Sequence, residues 1–416
     1  MLANILLPLL ALSGTICAAS TFKKRMDYSE KGSVKGVNLG GWFVIEPFIN
    51  PSLFEAFGDD IPNDEYHYTL SLGKELAYER LNEHWGSWIT EADFETMSGI
   101  GLNFVRIPVG YWALLALDGD PYVQGQLPYL DQALEWCAKY NIQAWIDLHG
   151  VPGSQNGFDN SGYREDAEYL AWFQGDNLNK TYEALSIMSE RYGGANYSDV
   201  VAGIELVNEP LGTYLDINTI AEYYDTGYKM IRDDLDLVTD VIMHDAFRDQ
   251  NYWDPYFQLY DYWGVVIDHH RYQVFSTGEL ARTIDEHVDF VCKQGADTAS
   301  EYHWSLTGEW SAALTDCTYW LNGVGRGARY DATYQSSTKY GTCDGINDIS
   351  TWTDEQKQNT RKFIEAQMDA YDQGAGWIFW TWKTENALEW DFQRLVYEGL
   401  VPQPLTDRQY PNQCGY

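Results

Sequence analysis

Lysine and arginine are scarce in this chain: 27 of them stand against 62 aspartates and glutamates, leaving a net charge of −35 over 416 residues. A surface of that sign repels polyanions, which excludes nucleic acid as a partner on electrostatic grounds. Beyond the first dozen residues, no stretch approaches the ~20 apolar residues of a membrane helix, so no membrane partner is expected. No low-complexity linker, block of like charge or internal repeat interrupts the sequence, and no internal domain boundary is placed. Cys-x-x-Cys and His-x-x-x-His spacings are both missing, and with them the usual basis for a metal site; neither a metal nor another cofactor is expected. Nothing points to a partner helix or coiled coil, and a monomer is expected.

What is present begins with an export pattern. Residues 1–12 are almost wholly apolar, and small residues follow at Ser13, Gly14, Ala18 and Ala19. This reads as a signal peptide over residues 1–19, although no Lys or Arg precedes the apolar stretch. Lys23-Lys24-Arg25 then reads as a dibasic processing site closing a short propeptide over 20–25, with 26–416 as the mature domain. Export leads to an oxidising compartment. Loss of Cys17 with the signal leaves Cys137, Cys292, Cys317, Cys343 and Cys414. Cys137 shares a helical face with Leu130 and Leu134 and is read as a buried free thiol. The other four make two disulfides, with three pairings open. The sequons Asn179-Lys180-Thr181 and Asn196-Tyr197-Ser198 mark Asn179 and Asn196 for glycosylation.

Strand patterns fall at 34–39, 104–109, 144–149, 200–207, 238–244, 264–270, 305–310 and 377–382. Helical patterns separate most of them, for example at 129–140, 178–192, 217–235 and 355–371. Eight strands alternating with helices are the arithmetic of an α/β fold, a single (β/α)8 TIM barrel with elaborated loops at its C-terminal face. The alternative, a doubly wound open sheet, lacks its Gly-x-Gly-x-x-Gly turn.

In a barrel, function gathers at the C-terminal ends of the strands. Two of those ends carry carboxylates, in Val207-Asn208-Glu209-Pro210 and Thr307-Gly308-Glu309-Trp310. Two carboxylates facing each other across a cleft are the equipment for breaking a glycosidic bond. Strand alternation places Glu205, Val207 and Glu209 on one face and Asn208 on the other, with Glu205 about 13 Å below Glu209 and structural. Pro210 is expected to hold Glu209 extended. The bland reading of Glu209 alone is a strand-end carboxylate capping a loop. Other strand ends add Arg106, His149, Asn208, His270 with Tyr272, and Trp380. Singly, Arg106 reads as a partner of Glu205 and His149 as a core histidine on a backbone carbonyl; together they describe a site. The heavy aromatic content, 17 Trp and 31 Tyr, suits both stacking on sugar rings and core packing.

Gly36-Val37-Asn38-Leu39-Gly40-Gly41-Trp42, Arg106-Ile107-Pro108-Val109, Asp147-Leu148-His149-Gly150, Asn208-Glu209-Pro210, Asp268-His269-His270-Arg271-Tyr272-Gln273 and Gly308-Glu309-Trp310-Ser311 resemble glycoside hydrolase family 5. More closely they are similar to its secreted fungal exo-β-1,3-glucanases. The resemblance implies Glu209 as general acid/base and Glu309 as nucleophile, with Arg106, His149, Asn208, His270, Tyr272 and Trp380 around the cleaved bond. It implies Glu46 and Asp159 as acids binding terminal glucose hydroxyls, the segment between Glu46 and Leu76 being longer here. It implies Phe158 and Phe275 as an aromatic pair gripping the chain, and Cys292–Cys414 and Cys317–Cys343 as the disulfides. The partners it implies are β-1,3-glucan and its oligosaccharides, met outside the cell or at the wall. In such a retaining site Arg106 and Tyr272 keep Glu309 ionised, and that charge raises the pKa of Glu209. An endo-acting glucanase or mannanase relative and a non-catalytic wall-binding barrel are the competing readings.

Overall fold

The computed structural model describes residues 26–416. The signal peptide over 1–19 and the propeptide over 20–25 lie outside the described residues.

Eight parallel strands close into one barrel in sequence order: β1 (Val34–Asn38), β2 (Phe104–Gly110), β3 (Gln143–Gly150), β4 (Val201–Glu205), β5 (Asp240–His244), β6 (Val265–His270), β7 (Trp304–Glu309) and β8 (Gly376–Phe379). This is the (β/α)8 barrel the sequence predicts. Each strand contributes one member of a buried cluster, Val34, Phe104, Trp145, Ala202, Ile242, Val266, Leu306 and Ile378, joined by Tyr28. The Trp145 indole N–H donates to the Tyr28 hydroxyl at 2.7 Å. Gly203 makes room for that indole: a Cβ there would stand 2.8 Å from Ile242 and 2.9 Å from Trp145. The barrel is therefore a filled core, with chemistry confined to its ends.

Helices cover the outside and bury one face each. Leu127–Tyr140 buries Leu130, Leu134 and Cys137, the stripe read from the sequence, and Ala133 beside them. Cys137 is free and buried. Helix starts follow local chemistry: Thr283 with Glu286 and Thr353 with Gln356 form capping boxes before Ile284–Thr298 and Asp354–Tyr371. The disulfides are Cys292–Cys414 and Cys317–Cys343, as the resemblance implies. The first ties an outer helix to the C-terminal segment, and the second closes a loop that follows β7. Asn179 and Asn196 are both exposed. Among the described residues no helix is long and apolar enough to cross a membrane.

Candidate active site

Arg106, fully buried on β2, organises the C-terminal end of the barrel. Its Nε donates to Glu205 at 2.7 Å, Nη1 to Asn38 at 3.0 Å and Glu309 at 2.9 Å, and Nη2 to Asn208 at 2.7 Å. Asp147 lies 3.1 Å and Asp268 3.7 Å away. Burial works against the guanidinium charge, but Asp147, Glu205, Glu309 and Asp268 outweigh it and hold Arg106 as a cation. The pairing of Arg106 with Glu205 is the one anticipated, and Glu205 is a structural acid of the floor.

Two details around Glu209 differ from the sequence expectation. β4 ends at Glu205, so strand alternation does not carry on to Asn208. Asn208 and Glu205 in fact meet the same guanidinium. Nor does Pro210 keep Glu209 extended: its φ is +46°, in the left-handed region. The pre-proline bias is a modest steric preference. Here it is outweighed by bonds on both sides of the turn. Asn208 N–H donates to Leu148 O at 3.0 Å, and the Glu209 carboxylate accepts from His270 Nδ1 at 2.7 Å and Asn160 Nδ2 at 3.0 Å.

Glu309 ends β7 and accepts from Arg106 and from the Tyr272 hydroxyl, the latter at 2.8 Å. His270 Nδ1 lies between the two acids, 2.7 Å from Glu209 and 3.3 Å from Glu309. One nitrogen in reach of both places their facing oxygens within about 6 Å of each other. Burial disfavours a charged imidazole at His270, yet Glu309, Asp268 and Glu209 raise its pKa well above the usual value. Burial raises Glu309 to about 8, with the charge of Glu209 adding to it, although His270, Arg106 and Tyr272 all favour the ionised form. Burial also pushes Glu209 up, but the His270 bond and charge, helped by His244 and Asn160, bring it down to about 2. These shifts run opposite to the order expected from the sequence. The cause is His270: it is a cation bonded to Glu209 and not a neutral member of a shell.

The pocket above these groups has a volume of ≈ 430 Å³. Glu46, Phe158, Asp159, Glu209, Tyr272, Phe275, Glu309 and Trp380 line it, so eight of the twelve predicted residues reach the cavity. The remaining four, Arg106, His149, Asn208 and His270, lie in the bonded layer that holds the two acids. His149 pairs through Nδ1 with Asp147 at 2.6 Å, not with a backbone carbonyl, and stacks parallel to Trp380. Burial, with Arg106, lowers its pKa well below the usual value, so His149 is neutral. Glu46 is buried with Oε1 unpaired, and burial with Asp159, Glu309 and Glu209 raises its pKa strongly. Phe158 and Phe275 are 39% and 43% exposed, as rings at a pocket mouth would be.

Sequence reasoning missed Asn160, next to Asp159, and the far wall of Leu321, Asn322, Arg326, Arg329 and Tyr334. That wall comes from the loop stapled by Cys317–Cys343, which has no periodicity to read. Asn38, Asp147 and Asp268 sat inside quoted motifs without a role. Two groups bring potential metal-ligating atoms within 4.8 Å of one another: Glu209, His244 and His270, and Glu205, Asp268 and His270. In both the shared member is His270, whose Nδ1 lies 2.7 Å from Glu209 and whose Nε2 lies 3.4 Å from Asp268.

Comparison with known proteins agrees with this geometry. The family described as Cellulase (glycosyl hydrolase family 5) matches residues 71–253. Glucan 1,3-beta-glucosidase 2 of Wickerhamomyces anomalus is 58% identical over 403 residues, covering 94% of this chain and 93% of that protein. Glucan 1,3-beta-glucosidase I/II of Saccharomyces cerevisiae is 50% identical over 410 residues, covering 94% and 91%. Among solved structures, rutinosidase from Aspergillus niger superposes with a TM-score of 0.70 at 17% identity over 91% of this chain and 99% of that one, a likeness of fold. With two carboxylates meeting across the C-terminal end of the barrel, one after β4 and one at the end of β7, and full-length relatives at this identity, the chain belongs to glycosyl hydrolase family 5 and is a glycoside hydrolase.

Proposed function

We propose that the protein is a retaining exo-β-1,3-glucanase, exported to act on wall glucan, releasing glucose from non-reducing ends. The observation that carries retention is the single His270 nitrogen within reach of both acids. The names of the full-length relatives support the linkage. The buried, unpaired Glu46 Oε1 supports capture of a chain end, since it is a polar atom left for a sugar hydroxyl, and Asp159, paired with Arg164, lines the same pocket.

His270 Nδ1, in reach of both carboxylates, links them for proton transfer. It donates its proton to Glu209 Oε1 and accepts one from Glu309, moving one proton net between the acids. Glu309, ionised and held by Arg106 and Tyr272, attacks the anomeric carbon. The glycosidic C–O bond breaks as Glu209 gives its proton to the leaving oxygen. The glucosyl ester neutralises Glu309, and Glu209, now anionic, takes a proton from water as that water attacks the same carbon. A sugar hydroxyl in place of water gives transglycosylation. Asn208 is placed to bond the 2-hydroxyl, and Phe158 with Phe275 to grip the next ring.

Proton NMR of a β-1,3-oligosaccharide digest tests this. Glucose appears first as the β-anomer, from the earliest times and without mixed oligomers. Early α-glucose would remove retention, and early mixed oligomers would remove exo action.

A further inference from the structure

The motif Asp268-His269-His270-Arg271-Tyr272-Gln273 contains a residue the chemistry above does not use. His270 points to the two acids, and His269, its neighbour on the strand, lies on the opposite face. His269 is buried, with Nδ1 2.7 Å from Asp245 and Nε2 3.0 Å from both oxygens of Glu301. Gln250 Nε2 lies 3.3 Å from Nε2, and Arg271 Nη2 donates to Gln250 at 2.8 Å. An imidazole between two carboxylates holds both in place.

What Asp245 holds in turn is an unusual piece of backbone. It is the first residue after β5, and the two that follow, Ala246 and Phe247, have φ of +56° and +53°. Neither is glycine, and each residue in that region costs about 1–2 kcal/mol. The turn is offset by two bonds: Phe247 N–H donates to Asp245 Oδ1 at 2.7 Å, and Ala246 N–H to His244 Nδ1 at 3.0 Å. With one carboxylate oxygen on the Phe247 amide and the other on His269, Asp245 cannot rotate without breaking one of them. The product of the strain is the placement of a large ring. Phe247 is 37% exposed and lines the active-site pocket. Strain kept at two consecutive residues, beside a site, with a buried ionic chain to hold it, marks a place where position matters.

We propose that the chain Asp245–His269–Glu301 is a positioning device for Phe247, setting the wall that receives the part of the substrate beyond the cleaved bond. This rests on the glucanase reading above, in which the pocket takes an oligosaccharide. His269 is a positioning residue and touches no reacting atom.

The test compares β-glucosyl fluoride, whose leaving group is a single atom, with a β-1,3-linked tetrasaccharide. Phe247→Ala, His269→Asn, Glu301→Gln and the double variant H269N/F247A are measured beside the unaltered enzyme. His269→Asn and Glu301→Gln are expected to raise KM for the tetrasaccharide roughly 5-fold, the loss of one aromatic contact of about 1 kcal/mol. The glucosyl fluoride changes less than about 2-fold, and the double variant is no worse than Phe247→Ala. Equal losses on both substrates, or effects that multiply in the double variant, overturn the proposal. A fluorine label on the ring of residue 247 reads the same coupling without a substrate: Glu301→Gln is expected to shift or broaden its NMR line, and an unchanged line overturns the proposal. Failure of the unaltered enzyme on the tetrasaccharide, with the line still moved, would refute the glucanase reading and leave the positioning intact.

Discussion

Replacing Tyr272 by Phe removes one hydrogen atom's worth of chemistry from Glu309. The hydroxyl donates to Glu309 Oε2 at 2.8 Å, while the ring packs 5.7 Å from Phe275 and 5.2 Å from Trp390. Phe keeps those ring contacts, so stability should change by less than about 1 kcal/mol. A hydrogen bond to an ionised group is worth about 1.5–3 kcal/mol, and it favours the charged form. Its loss therefore raises the pKa of Glu309 by about 1–2 units. Glu309 holds the higher of the two pKa values in the free enzyme, so the alkaline limb of kcat/KM moves to higher pH by that amount. At the optimum the nucleophile is also less stabilised as charge redistributes, and kcat/KM falls about 10- to 100-fold. The assay is a pH profile of aryl β-glucoside hydrolysis for both proteins, with thermal unfolding as the control. An alkaline limb that stays in place, or moves to lower pH, refutes the assignment of Tyr272 and with it the electrostatic argument for Glu309.

Gly308→Ala should be inactive and less stable: the new Cβ would stand 2.1 Å from Asp268 Oδ1, which accepts the Gly308 N–H at 2.7 Å. Overpacking and the lost bond together cost roughly 3–5 kcal/mol, read as a fall in the urea midpoint. His269 has its pKa raised to about 9, the burial penalty being outweighed by Glu301 and Asp245, against ~6.5 when unfolded. Its contribution, on the order of 3 kcal/mol, is fully present below about pH 6.5 and lost as pH rises through 9. Urea unfolding at pH 6.5 and 9.5 should show that loss in the unaltered protein and little of it in His269→Asn; equal slopes would count against the ion pairs.

Much of this site was legible in the sequence because strand ends are. Buried strands announce themselves as apolar runs, so the polar residue at the end of each run stands out. That is how Glu209 and Glu309 stand out, whereas Arg106, the third residue of β2, stands out as the one charge inside an apolar strand. The helical stripe through Cys137 was legible for the same reason, since period reports burial. What was not legible comes from contacts distant in sequence. The backbone at Glu209 is set by His270 and Asn160, and strand alternation has no hold on it once β4 ends at Glu205. The order of the two acids depends on a cation 61 positions away on β6. The loop wall at Arg326 and Arg329, built around a disulfide, follows no period at all.

The central claim is that Glu309 is the nucleophile and Glu209 its acid/base partner in a glucose-specific pocket. Peptide mass mapping after reaction with a 2-deoxy-2-fluoro-β-glucoside tests it most directly. The account predicts one fluoroglucosyl group per chain, on Glu309, with activity lost in step and no labelling in Glu309→Gln. A label on Glu209, or full activity with no adduct formed, would contradict it.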